Sequence, residues 1–227
     1  MQEIPVSDII SLTWFLASWA GYTWYADRYA RRERSLRALM HAYREQWMRQ
    51  MLMRDNRVMD VNILRNLLQS VGFFASATLL VLAGLLTILG STDRAIEIVR
   101  ALPFAGKTTL LQWELKLLVL CVIFVYAFFK FTWALRQFNY CSTLIGAAPT
   151  GPDDAFARRA AEVATHASKD FNQGLRAYYF SLAALGWFVS PWLFMAATSA
   201  VVVVLYVREY RSAALRMLDA AATGEKK

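Results

Sequence analysis

The sequence has few of the residues that build disulfide scaffolds or metal centres. It contains two cysteines and two histidines among 227 residues. Cys121 and Cys141 stand 20 positions apart, one inside an apolar run and one just beyond its end, so nothing supports a bridge between them. His41 and His166 have no second histidine or cysteine at i+3 or i+4, and we therefore predict no metal and no cofactor. The five prolines and ten glycines are scattered, and they mark no internal repeat.

Acidic residues are also scarce, since 17 Asp and Glu face 25 Lys and Arg and leave a net charge of +8. Apolar residues are abundant and make up 57% of the chain, against roughly 45–50% in a soluble domain. The excess lies in runs of about 20 residues or more, which is the length that crosses a bilayer as a helix. These features exclude an ordinary soluble enzyme, a disordered tail and a disulfide scaffold. We expect membrane lipids with anionic headgroups as partners of the basic segments, and no nucleic acid.

Four apolar runs predict four transmembrane helices, at residues 7–26, 67–90, 114–135 and 178–207. Helices are expected because an isolated strand would leave backbone groups unpaired in lipid, and the runs are continuous rather than alternating as in a barrel. Pro191 interrupts the fourth run. We favour one long kinked helix over a hairpin there, because each arm of a hairpin would be only about 20 Å long against a bilayer core of about 30 Å. The predicted fold is an all-α integral membrane helical bundle that forms a single domain.

Positive charges predict the orientation of these spans. Segment 27–66 holds ten arginines and segment 136–176 holds five cations, whereas segment 91–112 holds three. Because cytoplasmic loops carry the excess of Lys and Arg, the first two segments are predicted on the cytoplasmic side. The acidic Asp8 stands at the start of the first run and the arginines follow the run, unlike a cleaved signal, so we expect a retained helix with its N-terminus outside. Four spans then place the C-terminus outside as well, although segment 208–227 carries five further cations.

Two cytoplasmic segments are predicted to be helical. Segment 27–66 has no Pro or Gly, and an apolar stripe at steps of four, three, four and four indicates a basic amphipathic helix: Leu36, Met40, Tyr43, Trp47 and Met51. One interpretation is a helix on the cytoplasmic leaflet with its arginines on anionic headgroups, and the other is a docking platform for a protein partner. The second segment, 153–176, follows the turn GPDD at 151–154.

Polar residues near the predicted cytoplasmic ends of the spans are candidate contacts, because each must face protein or water. They lie before the second span, within and after the third, and before the fourth: Asp55, Arg57, Asp60, Asn62, Arg65 and Asn66; Lys130, Arg136, Gln137 and Asn139; Asn172 and Arg176. They fit either a hydrogen-bonded seam between helices or a polar, basic mouth that receives an ion or polar solute. Lys130 can snorkel to the interface or pair with a carboxylate such as Asp60 or Asp170, whereas Lys116 is expected to snorkel at the outer end.

An enzymatic alternative rests on His166 and Asp170, which stand at i and i+4 in the second cytoplasmic segment. An aspartate beside a histidine can tune a general base. No Ser, Cys or metal constellation accompanies this pair in the sequence. We therefore predict no catalytic residue and keep a lipid-modifying activity as a third hypothesis.

Four long phrases give the chain a family resemblance: MLMRDNRVMDVN, FFASATLLVLAGLLTILGS, FVYAFFKFTWALRQFNYCSTLIGAAP and FNQGLRAYYFSLAALGWFVSPWLF. Over roughly residues 10–215, the sequence resembles the bacterial family catalogued as domain of unknown function 599. The resemblance implies a multi-pass inner-membrane protein with no established activity, and it carries over no catalytic residue. It also suggests that the blocks at 54–56, 129–141 and 171–179 form one feature. On the predicted topology, we infer that all three lie at the cytoplasmic ends of spans two, three and four.

Two functions fit these predictions. The first is a non-enzymatic interaction or envelope-support factor with a basic, polar cytoplasmic mouth, acting as a homo-oligomer or with another membrane protein. The alternative is a small oligomeric channel or transporter for an anion or polar solute. Its attracting field would come from the cations of the mouth: Arg57, Arg65, Lys130, Arg136 and Arg176. Four spans are few for one pore, so this alternative requires assembly.

Overall fold

The computed structural model describes residues 5–29, 35–91 and 109–224, and the regular elements within these ranges are all helical. Most of the predicted outer connection at 91–112 lies outside the described residues. The helices are α1 (Val6–Tyr29), α2 (Leu36–Leu52), α3 (Val58–Leu89), α4 (Leu110–Ala147), α5 (Asp154–Leu185), a short 3₁₀ turn (Gly186–Phe188), α6 (Pro191–Tyr210) and α7 (Ala213–Gly224). The all-α class is thereby confirmed.

Side-chain caps fix where several helices begin. The hydroxyls of Ser35 and Ser190 and the carboxylate of Asp153 accept backbone N–H groups in the first turns of α2, α6 and α5. Thr109 starts α4 with a reciprocal capping box. Pro191 follows its capping serine directly, at a position where its missing N–H costs nothing. The same proline that was expected to kink a helix therefore starts one.

The centre of the bundle is built from α4 and α5, which pack along each other. α3 packs against α4, α2 against the first half of α5, and α1 and α6 pack against each other, with α6 also on α5. The interior between α1, α5 and α6 is filled by rings whose centroids lie 5.0–5.7 Å apart: Phe15, Trp19, Phe180, Phe194 and Trp187. Such ring contacts add to the stabilisation from buried apolar area.

A glycine allows the closest approach of the two central helices. A Cβ built on Gly174 of α5 would stand 2.5 Å from Cε1 of Phe131, a fully buried ring of α4. Any larger residue at position 174 would therefore push the two helices apart. This requirement concerns space rather than backbone conformation, since Gly174 lies within a regular helix.

Within residues 5–29, 35–91 and 109–224, three helical stretches are long and apolar enough to cross a membrane: Val58–Leu89, Leu110–Ala147 and Pro191–Leu218. The first two confirm the predicted runs at 67–90 and 114–135 as candidate spans. α1 is a helix of 24 residues but is not one of these three stretches. Its many Trp, Tyr and Ser residues make it less apolar, and the predicted span at 7–26 is not confirmed.

The prediction of one kinked helix over 178–207 is wrong. α5 ends at Leu185, the 3₁₀ turn follows, and α6 returns from Pro191 so that it packs on α5 and α1. The argument from arm length failed because α5 does not begin at residue 178. It is one continuous helix of 32 residues that starts at Asp154, so the predicted cytoplasmic segment 153–176 and the start of the fourth run form a single element.

The basic segment 27–66 is also not one helix. α1 extends to Tyr29, α2 ends at Leu52, and the non-helical residues 53–57 precede α3. The apolar face of α2 packs against protein, since Met48, Met51 and Leu52 are buried and the helix contacts α5. A free amphipathic helix lying on lipid is not confirmed.

Candidate functional site

Ion pairs bring the ends of several helices together at one end of the bundle. Arg37 at the start of α2 contacts Asp27 at the end of α1 at 3.1 Å, and Glu209 at the end of α6 at 3.4 Å. The last turns of α1 and α6 therefore lie at the same end, which we call the arginine-rich end. It also contains α2, the start of α3, the end of α4 and the first half of α5.

Asp27 is the centre of the charge network at this end. Its carboxylate contacts Arg37, Lys169 at 3.2 Å and Arg176 at 3.3 Å, and it accepts a hydrogen bond of 2.8 Å from Gln173. Burial disfavours the charged carboxylate, but these cations outweigh that cost and hold the pKa of Asp27 below its ordinary value. Asp27 follows the predicted apolar run 7–26, so it ties the end of that run to α2 and α5.

A cavity of about 210 Å³ opens beside this network, between α1, α2, α5 and α6. Its charged lining residues are Arg37, Arg44, Lys169, Arg176, Arg208 and Glu209. Asn172 also lines it, whereas the aliphatic part of its wall includes Leu36, Met40 and Leu205. The arrangement combines a cationic wall with an apolar one.

Two of the cavity cations have donors to spare. Arg176 is 4% exposed, and its Nη1 has no hydrogen-bond partner among the described residues. Arg44 has no hydrogen bond or ion pair with any described residue, and burial lowers the pKa of its guanidinium. Arg176 is paired with Asp27 through Nη2, and Arg44 is partly exposed, so both arginines have N–H groups that a ligand in the cavity could use. These two arginines distinguish the cavity from the other charged clusters of the molecule.

Lys130, Gln137 and Asp170 form a separate cluster between α4 and α5. Lys130 Nζ lies 2.9 Å from one oxygen of Asp170, and Gln137 donates a 2.5 Å hydrogen bond to the other. The pairing of Lys130 with Asp170, one of the alternatives from sequence, is therefore the one observed. Because both oxygens of Asp170 are engaged and His166 is exposed, the aspartate is placed to hold two helices together.

Asp60 forms a third cluster, at the junction of α2 and α3. It is 0% exposed and accepts hydrogen bonds from Trp47 at 2.7 Å and Arg54 at 2.5 Å, both to the same oxygen. Arg57, close by, donates to the carbonyls of Ala148 at 2.6 Å and Pro149 at 2.7 Å. It thereby satisfies backbone acceptors at the end of α4, which the helix cannot satisfy itself.

The other predicted site residues face outward and do not join a common mouth. They are all exposed: Asp55, Asn62, Arg65, Asn66, Arg136 and Asn139. The twelve candidates are thus divided among the Arg176 cavity, the Lys130 and Asp60 clusters, the Arg57 contact and this outward-facing set. Of the twelve, the structure places only Asn172 and Arg176 in the cavity.

The opposite end of the bundle holds a buried polar cluster. Lys116 is 5% exposed; its Nζ donates to the carbonyl of Trp187 at 2.9 Å and lies 3.7 Å from Asp8. The Trp187 indole donates to the same Asp8 oxygen at 2.6 Å. The expectation that Lys116 snorkels outward is wrong, because a carboxylate of α1 and the carbonyl of the 3₁₀ turn are available inside.

Sequence reasoning missed most residues of the cavity. Arg37 and Arg44 were counted among the basic residues of segment 27–66 without a site, and Asp27, Lys169, Arg208 and Glu209 were given no role. One signal was present: Asp27 is a lone carboxylate directly before a run of arginines.

The part of the chain that the structure describes is all-helical and contains three apolar stretches of membrane length, which is typical of an integral membrane protein. The family model described as "Protein of unknown function, DUF599" matches residues 10–214. The chain therefore belongs to this family, in agreement with the resemblance seen in its sequence. No curated protein and no solved structure matches the chain. Because the family description names no activity, the function has to be argued from the geometry.

Proposed function

We propose that the chain is a multi-pass protein of the bacterial inner membrane with five crossings, its N-terminus outside and its C-terminus in the cytoplasm. Each of α1, α3, α4, α5 and α6 runs between the two polar ends of the bundle. Along α4, Lys116 and Lys130 mark levels about 21 Å apart, and along α1, Asp8 and Asp27 mark levels about 28 Å apart at 1.5 Å per residue. These spacings approach a bilayer core of about 30 Å.

A hairpin of α5 and α6 would place segment 208–227 on the cytoplasmic side, whereas four spans place its five cations outside. With five crossings, segment 208–227 joins segments 27–66 and 136–176 on the same side. These three segments hold five, ten and five cations, whereas the opposite connection 91–112 holds three. The positive-inside rule then favours the orientation in which these three segments lie in the cytoplasm and the connection with the fewest cations lies outside. This topology replaces the earlier expectation of a C-terminus outside.

The short apolar part of α5 is compatible with a crossing because much of its surface faces protein. Ala177, Phe180, Ala183 and Ala184 are buried, and α1, α4 and α6 surround this part of the helix. A helix enclosed by others needs fewer consecutive lipid-compatible residues than one exposed to lipid on all sides. Asp170, a charged residue of this helix, is paired with Lys130 within the bundle.

The function that this arrangement supports best is non-enzymatic. The chain would bind an anionic partner at its cytoplasmic end and so act as an interaction or envelope-support factor. The observation that carries it is the cavity with cations in excess, among them Arg44 and the Nη1 of Arg176, which lack partners among the described residues. The carboxylates nearby, Asp27 and Glu209, are already engaged by Arg37. An additional anion would complete this set of contacts.

Topology reporters test the proposal directly. A fluorescent protein that folds only in the cytoplasm, fused after residue 224, should be bright, and alkaline phosphatase at the same position should be inactive. A phosphatase fusion within 92–108 should be active and serves as the matched control. An active phosphatase after residue 224 would overturn both the five crossings and the cytoplasmic position of the cavity.

A second candidate function, an oligomeric channel or transporter, is favoured by the exposed polar face of α3. Asn62, Asn66 and Gln69 lie at i, i+4 and i+7 and are exposed on the surface of the single chain, where the apolar run begins. In lipid, such side chains gain from hydrogen bonds to a neighbouring helix. Aromatic side chains fill the interior between α1, α5 and α6. A conduction path would therefore run along the contact between two copies rather than through a single bundle.

Cysteine cross-linking and flux measurements separate the two functions. Asn66→Cys, placed in a chain whose buried Cys121 and Cys141 are replaced by Ser, should form dimers in membranes if α3 faces a second copy. Liposomes containing the protein should then pass a defined ion, and Asn66→Leu should reduce that flux. Dimers without flux would favour the interaction role, whereas flux that Asn66→Leu abolishes would favour the channel.

A further inference from the structure

The cavity at the arginine-rich end has an excess of positive charge that the fold itself does not neutralise. Five cations and one carboxylate line it. Asp27 lies behind the lining and contacts Arg37, Lys169 and Arg176. Two carboxylates therefore face five cations, which leaves three positive charges in excess. Charges of one sign in a concave site raise the local potential and attract an anion.

The excess is concentrated on two arginines. Arg37 is engaged by Asp27 and Glu209, Lys169 by Asp27, and Arg208 by the hydroxyl of Tyr179. In contrast, Arg44 has no partner among the described residues, and Nη1 of the buried Arg176 is unpaired. Arg44 comes from α2 and Arg176 from α5, so their guanidinium groups line the cavity from two helices.

The size and lining of the cavity define the kind of anion. Its volume of about 210 Å³ accommodates a phosphate group and part of a headgroup. The planar donors of arginine match phosphate oxygens in pairs. Leu36, Met40 and Leu205 supply an aliphatic wall beside the cations, which suits an amphiphile better than a free ion.

We infer that this cavity is a binding site for a phosphate-bearing anion held by Arg44 and Arg176, with the headgroup of an anionic phospholipid as the source that the lining favours. The inference rests on the proposed function, because the arginine-rich end must lie at the cytoplasmic leaflet for a lipid of that leaflet to enter it. Basic pockets between membrane helices on the cytoplasmic side are suited to such headgroups. The bound phosphate would complete the hydrogen bonds of both guanidinium groups.

The test is a titration of the purified full-length chain in a neutral detergent, with thermal unfolding as the readout. The probes are short-chain phosphatidylglycerol, short-chain phosphatidylcholine, glycerol 3-phosphate and inorganic phosphate. Phosphatidylglycerol should raise the unfolding temperature in a saturable way. Arg44→Gln should weaken its apparent affinity by about tenfold or more, which corresponds to the loss of one charge-assisted contact.

Arg49→Gln is the matched control. Arg49 lies on the same helix, carries the same charge and pairs with Asp154 and Glu45, but does not line the cavity. Phosphatidylglycerol affinity should be unchanged in this variant. An equal loss in both variants, or no loss in Arg44→Gln, would overturn the site because the attraction would then be diffuse. Equal stabilisation by phosphatidylcholine would overturn the requirement for an anion.

The soluble probes decide between the two sources of phosphate. If glycerol 3-phosphate or inorganic phosphate binds as tightly as the lipid and with the same dependence on Arg44, the phosphate site stands and its occupant is soluble. Failure of the topology is distinguishable from failure of the site, since the reporter fusions do not depend on binding. An active phosphatase after residue 224 together with Arg44-dependent binding would remove the lipid of the cytoplasmic leaflet as the source and leave the anion site.

Discussion

The contact between Gly174 and Phe131 makes a single methyl group a probe of the bundle centre. A Cβ at position 174 would stand 2.5 Å from one ring atom of Phe131 and 2.8 Å from two others. The ring is fully buried and is surrounded by Phe74, Phe171 and Tyr178, with centroid distances of 5.6–5.7 Å. Because the ring has no free space into which it can turn, Gly174→Ala should force α5 away from α4.

The expected cost follows from two opposing effects. Alanine is favoured over glycine within a helix by about 1 kcal/mol. Inserting a methyl group into a packed core typically costs about 1–3 kcal/mol. With three ring atoms in conflict, the steric effect should win and leave a net loss of about 1–2 kcal/mol. For a chain of this size, that loss lowers the unfolding temperature by about 2–8 °C.

Thermal unfolding in detergent, followed by circular dichroism, measures the effect. The control is Gly72→Ala on α3, where a Cβ would meet nothing within 4 Å, so that variant should be as stable as the parent or more stable. Gly174→Ala combined with Phe131→Leu should cost less than the sum of the two single changes, because the smaller side chain relieves the clash. An unfolding temperature of Gly174→Ala equal to or above the parent would refute the described packing.

Three further predictions address the charged clusters. Lys116→Met should destabilise the chain by about 3–5 kcal/mol, because it leaves Asp8 buried without its cation. Adding Asp8→Leu should restore most of the unfolding temperature, and a double variant that shows no recovery would contradict this reasoning. Arg57→Gln should speed limited proteolysis in the loop after α4, since the carbonyls that end this helix lose their donor; an unchanged cleavage rate would count against that role. Asp27 has a lowered pKa in the folded state, so it stabilises the fold above about pH 4 and loses this contribution as the pH falls. The stability difference between the parent and Asp27→Asn should therefore shrink on acidification in denaturant titrations, and a growing difference would oppose the assignment.

The long apolar helices were predictable because their signal is local. The runs at 67–90 and 114–135 are continuous, and the structure contains them within α3 and α4. The hairpin was missed because the length argument treated residues 178–190 as an independent arm. Its signals were nevertheless present: Ser190 followed by Pro191 is a helix start, and the alanines of 153–176 recur at helical spacing, which indicates a face that packs closely.

The candidate site was less predictable because its residues are distant in sequence. Asp27 and Arg176 are 149 positions apart, and Arg37 and Glu209 are 172 positions apart. Helical periodicity assigns residues to one face of a helix but does not say which helix that face meets. Polar residues close to each other in sequence, such as Asn62 and Asn66, attracted the prediction instead, and they lie on the outside of the single chain.

The different pairing of fully and partly buried cations in one fold is the strongest argument that the cavity binds something. Lys116 is matched by Asp8, Lys130 by Asp170 and Arg54 by Asp60, so at these three positions each cation is paired with a carboxylate. Only stability is needed to explain such pairs, and apolar residues of similar volume often serve as well. Arg44 is partly withdrawn from water and has no counter-charge among the described residues, and a bound anion would offset the resulting cost in free energy. Arg44 is therefore better explained by a ligand than by the fold, and the cavity beside it is the place where that ligand would lie.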